Sequence, residues 1–197
     1  MISICALNGQ NRITEVLYPK QIKTIAIEGD QIFEIRVTTS KTDKITLSAI
    51  VDGEYGDAFQ IDIQTYEQSY KVKLIKTEFN MIADDKRNAH KVIAAALILE
   101  VPENFNLQVS SDVGFLKAQG TFKTLKAKLQ NGYFSFTGEA DVLQVETREG
   151  NINLVTQNTF VKAHSSNGAM AVDQVHKGAN KAILNTVHGD IKVEQNR

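Results

Sequence analysis

The chain has 197 residues, enough for one or two domains with an apolar core. Its 22 basic and 23 acidic residues leave a net charge of −1, which excludes the electrostatic footprint of a nucleic-acid binder and any general attraction to anionic lipid. No stretch reaches the roughly 18 apolar residues of a membrane-spanning helix, and the single cysteine, Cys5, excludes an internal disulfide or a cysteine metal cluster.

The chain opens with Met-Ile-Ser-Ile-Cys-Ala-Leu-Asn-Gly-Gln. Apolar and small residues run from Ile2 to Leu7 and stop at Asn8-Gly9-Gln10, with no lysine or arginine before them. Residues 1–10 read as the remnant of a signal peptide, with Ala6 and Gly9 as small residues for signal peptidase. A frayed terminus or edge strand fits the same residues. A lipid-anchored Cys5 fits poorly, because bulky Ile4 stands where a small residue is expected.

Beyond residue 10, β-branched and small residues alternate with polar ones, which favours strands. Short alternating runs cover Lys23–Glu28, Ile32–Thr38, Lys44–Val51, Phe59–Thr65 and Tyr70–Lys76. Turn signals separate them at Glu28-Gly29-Asp30, Thr42-Asp43 and the Asp52–Asp57 loop. Their spacing is loose, so residues 11–104 form either an irregular start of the following array or a small β-region capping it. Asp84 to Leu99 reads by propensity as a helix, or equally as a polar loop leading into a buried strand, Val92–Val101, stopped by Pro102.

From about Phe105 the glycines keep time. Gly114, Gly132, Gly150, Gly168 and Gly189 are 18, 18, 18 and 21 residues apart. Two residues after each come Leu116, Phe134, Ile152, Met170 and Ile191; four after come Ala118, Phe136, Leu154, Val172 and Val193. Five before come Val109, Ala127, Val145, Ala163 and Leu184, and seven before come Leu107, Leu125, Leu143, Val161 and Ala182. Three before, the residues are small or apolar: Ser111, Leu129, Thr147, Ser165 and Thr186. Polar residues such as Lys126, Gln144, Lys162 and Asn153 fill the gaps.

Alternation on both sides of a glycine turn describes two strands with one buried face each. Asn-Gly also marks hairpins, but a meander has no need for like residues at like positions through five units. A stack of coils does. The expectation is therefore an all-β fold, a single-stranded parallel β-helix (β-solenoid) with coils of about 18 residues over residues 105–197. Each coil has a contour of roughly 60 Å at ~3.3 Å per residue, and five coils stack to a rod about 20 Å tall. In-order stacking places Ile152 between Phe134 and Met170. The left-handed hexapeptide β-helix is rejected, because the apolar offsets do not share one six-residue phase.

The run Ala94, Leu97, Leu99-Glu100-Val101-Pro102, followed by Leu107-Gln108-Val109, together with Thr147-Arg148-Glu149-Gly150-Asn151-Ile152 and Thr186-Val187-His188-Gly189-Asp190-Ile191, resembles the bacterial putative-adhesin domains of unknown function, related to the adhesin-head GIN domain family. The resemblance covers about Ile22 to the C-terminus. It implies a β-solenoid, a strand rather than a helix at Val92–Val101, an extracytoplasmic or envelope location and a non-enzymatic role. It carries over no catalytic residues.

Candidate chemistry is sparse. His90, His164, His176 and His188 lack a recurring acidic or cysteine partner; His164 and His188, on adjacent coils, are placed to approach one another, but solvated surface positions suit them better than a zinc site. The Asp52–Asp57 loop lacks calcium-loop spacing and reads as an acidic turn. Glu146, Arg148 and Glu149 resemble the cluster of a lyase or glycoside hydrolase, which is the alternative function, a carbohydrate-active enzyme on a β-helix. The absence of Trp argues against a glycan cleft. Phe115 and Tyr133, just after two turn glycines, fall side by side as an interaction surface or as cover for a loop. The expectation is a structural or binding protein of the adhesin type, without cofactor or metal. Its partner is an envelope or surface protein or glycan, and an uncapped end of the stack offers a route to self-association.

Overall fold

The computed structural model describes residues 11–30, 32–51, 59–76, 93–173 and 178–196. Among them are fifteen strands and no helix, so the all-β expectation holds. The strands are β1 (Asn11–Leu17), β2 (Thr24–Glu28), β3 (Ile32–Ser40), β4 (Ile45–Val51), β5 (Phe59–Tyr66), β6 (Ser69–Lys76), β7 (Ile93–Pro102) and β8 (Phe105–Val113). They continue with β9 (Phe115–Asn131), β10 (Phe134–Glu149), β11 (Ile152–Thr156), β12 (Thr159–Asn167), β13 (Met170–Val172), β14 (Asn180–His188) and β15 (Ile191–Gln195). The strand reading of Val92–Val101 is matched by β7, whose Ala95, Leu97, Leu99 and Val101 are buried.

All fifteen strands belong to one open, mixed sheet. One run has the order β1-β4-β7-β3-β9-β10-β11-β15-β13; a second runs β5-β6-β2-β8-β9-β10-β14-β12. The long strands β9 and β10 join both runs, their first halves in one and their second halves in the other. They bend at Gly120 and Gly138, which pair with each other and have positive φ. The pairs β1/β4, β4/β7 and β5/β6 are antiparallel, all within the region expected to be irregular; from β3 and β2 onward the ladders are parallel.

The expected columns are present. Leu116 pairs with Phe134 and Phe134 with Ile152; Leu125 pairs with Leu143 and Ala127 with Val145, each one 18-residue step apart. Upstream, Ile25 and Ile27 join the columns of Leu107 and Val109, and Ile35 and Val37 join those of Leu116 and Ala118. Inward side chains from Ile22 to Val193 make the main core, and Val51, Phe59 and Ala95 form a small second cluster.

The order of the last two units departs from expectation. Ile152 pairs with Ile191, and Ile191 in turn with Met170, so Ile152 does not sit between Phe134 and Met170. Likewise β14 lies between β10 and β12. The Gly189 unit (β14, β15) is thus inserted between the Gly150 unit (β10, β11) and the Gly168 unit (β12, β13). Apolar content gives the reason. Ala182, Leu184, Ile191 and Val193 are at most 2% exposed, whereas Met170, at the open end, is 52% exposed. Enclosing a Leu or Ile contributes about 1.5–3 kcal/mol, so the more apolar pair of strands takes the enclosed layer.

The turn glycines stack in the same order. A Cβ on Gly132 would lie 1.8 Å from the Gly114 carbonyl oxygen; on Gly150, 1.7 Å from that of Gly132; on Gly189, 2.2 Å from that of Gly150; and on Gly168, 1.9 Å from that of Gly189. Small hydroxyl residues three positions before a turn glycine satisfy two of these carbonyls. Thr147 and Thr186 both donate to Gly150 O (3.0 and 3.2 Å), and Ser165 donates to Gly189 O (2.8 Å).

Candidate interaction surface

The turn column carries an aromatic ladder on its outer side. Phe115 and Tyr133 are neighbours as the spacing implied, with ring centroids 6.3 Å apart, edge to face. Phe33 extends the ladder, 5.0 Å from Phe115 with perpendicular rings. An irregularity in the β3–β7 register between Ile32 and Glu34 accompanies the outward turn of Phe33. Phe33 is 48% and Phe115 37% exposed, while Tyr133 is half-buried and its hydroxyl accepts a hydrogen bond from Asn153 Nδ2 at 2.7 Å. Exposed rings lined up along a stack are more costly to leave in water than scattered ones, which is the usual mark of a contact surface.

A charged cluster flanks the ladder. Glu34 is buried and receives Arg36 Nη2 at 2.6 Å and Lys117 Nζ at 3.0 Å. The Arg36 hydrogen bond, helped by Lys117, holds the Glu34 carboxyl below the usual carboxylate range, against the opposing push of burial. Glu34 therefore stays ionised in the folded chain to a lower pH than in the unfolded chain. Its stabilising contribution is complete above the unfolded value and is lost as pH falls through the folded one. Glu34→Gln is expected to cost about 1 kcal/mol at pH 7, since both cations are half exposed and screened. The difference from the parent should shrink below about pH 4, as read from urea midpoints at pH 7 and pH 3.

The outer face of the second run is shallowly grooved. Two contiguous depressions of about 310 and 370 Å³ share Lys128 and Glu146. Their floor includes the column Glu28, Ser110, Lys128, Glu146, Asn185 and His164, one residue per strand. Lys71 and Lys73 bind the Glu28 carboxylate, and these bonds, Lys71 first, lower its pKa. Glu146 and Arg148 line this groove, whereas Glu149 stands at the turn, opposite Asn131 and His188. The carboxylates lining the groove are Glu28 and Glu146, three strands apart, or ~14 Å from backbone to backbone.

The histidine pair does not form. His164 pairs with Asn185 and His188 with Asn167, so the two residues stand three positions, roughly 10 Å from backbone to backbone, apart along neighbouring strands. Among the described residues no three His, Cys, Asp or Glu side chains group as metal ligands, and no helix is long and apolar enough to cross a membrane. Cys5 and the signal-peptide reading of residues 1–10, the Asp52–Asp57 loop, His90 and His176 lie outside the described residues. Sequence reasoning missed Phe33 and the Glu34–Arg36–Lys117 cluster. Phe33 had a signal, its place just before the part of β3 that pairs with β9, but it does not directly follow a glycine as Phe115 and Tyr133 do.

No protein-family profile matches the chain, and no curated protein matches it. Solved structures do. A "putative cell adhesion protein" from Clostridium sporogenes is 10% identical with a TM-score of 0.69, over 95% of this chain and 100% of that one. A "putative adhesin" from Bacteroides fragilis is 12% identical with a TM-score of 0.45, over 94% of this chain and 98% of that one. At such identities the likeness to the Clostridium sporogenes protein is one of fold.

Proposed function

We propose that this chain is a non-enzymatic, adhesin-like binding protein of the bacterial cell envelope. It is a β-solenoid with coils of about 18 residues whose contact surface is the side of the stack, centred on Phe33, Phe115 and Tyr133. The observation that carries this reading is the exposed aromatic ladder, held in line by parallel pairing and flanked by the Glu34 cluster. The name of the Clostridium sporogenes protein with the same fold agrees with it. The resemblance to adhesin domains of the GIN type supports the envelope location. A carbohydrate-active enzyme is disfavoured because the groove's other carboxylate, Glu28, stands three strands from Glu146 and is held by Lys71 and Lys73.

The test is binding of the full chain to panels of immobilised envelope glycans and surface proteins. The expected result is a saturable ligand whose affinity falls tenfold or more in Phe33→Ala and Phe115→Ala, with circular dichroism unchanged and the ligand intact afterwards. Binding indifferent to both substitutions would remove the ladder from the proposal. Ligand turnover abolished by Glu146→Gln would replace the binding protein with an enzyme, and absence of binding on both panels would count against adhesion.

A further inference from the structure

The inserted position of the Gly189 coil has a consequence separate from the aromatic surface. We propose that the space between the Gly150 and Gly168 coils is a strand-accepting slot, and that its ligand is the 178–196 segment of a second copy of this protein, taken in exchange for the chain's own.

Four observations converge on this. The outer wall of the slot is held through its filling, because β12 pairs with β14 and β13 with β15, and neither pairs with β10 or β11. The two walls are also in register with each other. Val142 pairs with Lys181 and Lys181 with Phe160, so the walls differ by 160 − 142 = 18 residues, the step that separates directly stacked coils elsewhere. The slot can therefore empty and close, or open and fill, without any register shift.

The filling segment brings its own affinity. Ala182, Leu184, Ile191 and Val193 enter the core columns and both edges of β14 are paired, a strand-addition mode that gives main-chain bonds and side-chain specificity together. An identical segment from another molecule carries the same groups.

Filling the slot from the same chain also requires crossed connections, which sheets generally avoid. The chain passes from β11 outward to β12 over the layer that β14 fills, then returns from β13 inward to β14. The two links meet where Asn180 N donates to Asn158 O at 3.2 Å, and a Cβ on Gly178 would lie 2.4 Å from Phe160 N. A segment from a second copy fills the slot without that crossing.

The test uses full-length chains carrying Cys5→Ser. Gln144 pairs with Ile183 across β10 and β14, and Cα atoms of such paired residues are close enough for a disulfide. A chain with Gln144→Cys and a chain with Ile183→Cys are mixed in urea, refolded together and oxidised. Exchange predicts a covalent heterodimer several-fold above that from Gln144→Cys mixed with Gln60→Cys, whose thiol is exposed on the distant β5. Heterodimer no greater than this control overturns the proposal. The double variant Gln144→Cys/Ile183→Cys should close a bond within one chain when refolded dilute, which shows that the thiols are harmless and in place. Its failure would contradict the strand order itself and overturn the proposal too.

Discussion

Gly150→Ala is expected to lower the unfolding free energy by about 3 kcal/mol or more, one of the largest effects available to a single methyl group in this chain. Gly150 has φ near +152°, a backbone region costly for any residue with a Cβ. The added Cβ would also lie 1.7 Å from the Gly132 carbonyl oxygen and 2.6 Å from its carbon. These are backbone atoms, so no rotamer change relieves the overlap. The layers must separate, and the bonds that tie this turn to its neighbours, Gly132 N to Glu149 O and Gly150 N to His188 O, lengthen with them. The matching control is Lys126→Ala on an exposed face, expected within about 0.5 kcal/mol of the parent. Urea unfolding of both variants decides the matter. A Gly150→Ala chain within 1 kcal/mol of the parent would mean that the turns are not packed carbonyl against α-carbon.

That column also explains how much of the fold could be read from the sequence. Turn glycines and inward apolar residues recur because each layer meets the next with the same atoms, so the 18-residue step appears in the residues themselves. The order of layers leaves no such trace. Phe134, Ile152, Ile191 and Met170 are all apolar and all in register, so any permutation satisfies the pattern. What differs is degree: Met170 tolerates exposure at the end of the stack better than Ile191 together with Val193 and Leu184. The one departure in spacing, 21 residues between Gly168 and Gly189, marks the link that must return to an inner layer. The aromatic surface was legible in two of its three rings, because Phe115 and Tyr133 follow equivalent glycines, while Phe33 does not directly follow a glycine. The Glu34–Lys117 contact joins residues 83 positions apart, and only the folded ladder brings them together.

Core columns should respond unevenly to truncation along their length, and Phe136→Ala tests this most sharply. Phe136 is 1% exposed, pairs with Ala118 on one side and Leu154 on the other, and meets Phe122 edge to face at 5.7 Å. Removing its ring leaves a void that parallel strands on both sides cannot collapse into, and the expected cost is about 3–5 kcal/mol. Val172 ends the same column, half-buried in the outermost layer with β15 as its strand's partner. Val172→Ala should cost only about 1 kcal/mol or less, because its surroundings are open to water and free to relax. A stack in which each coil touches only its neighbours predicts this gradient from enclosed to terminal layers; equal costs at the two positions would argue instead for one globular core. The same comparison separates folding from contact. Phe136→Ala should destabilise the chain strongly, whereas Phe115→Ala, truncating a ring already 37% exposed, should cost about 1 kcal/mol and act on the surface alone.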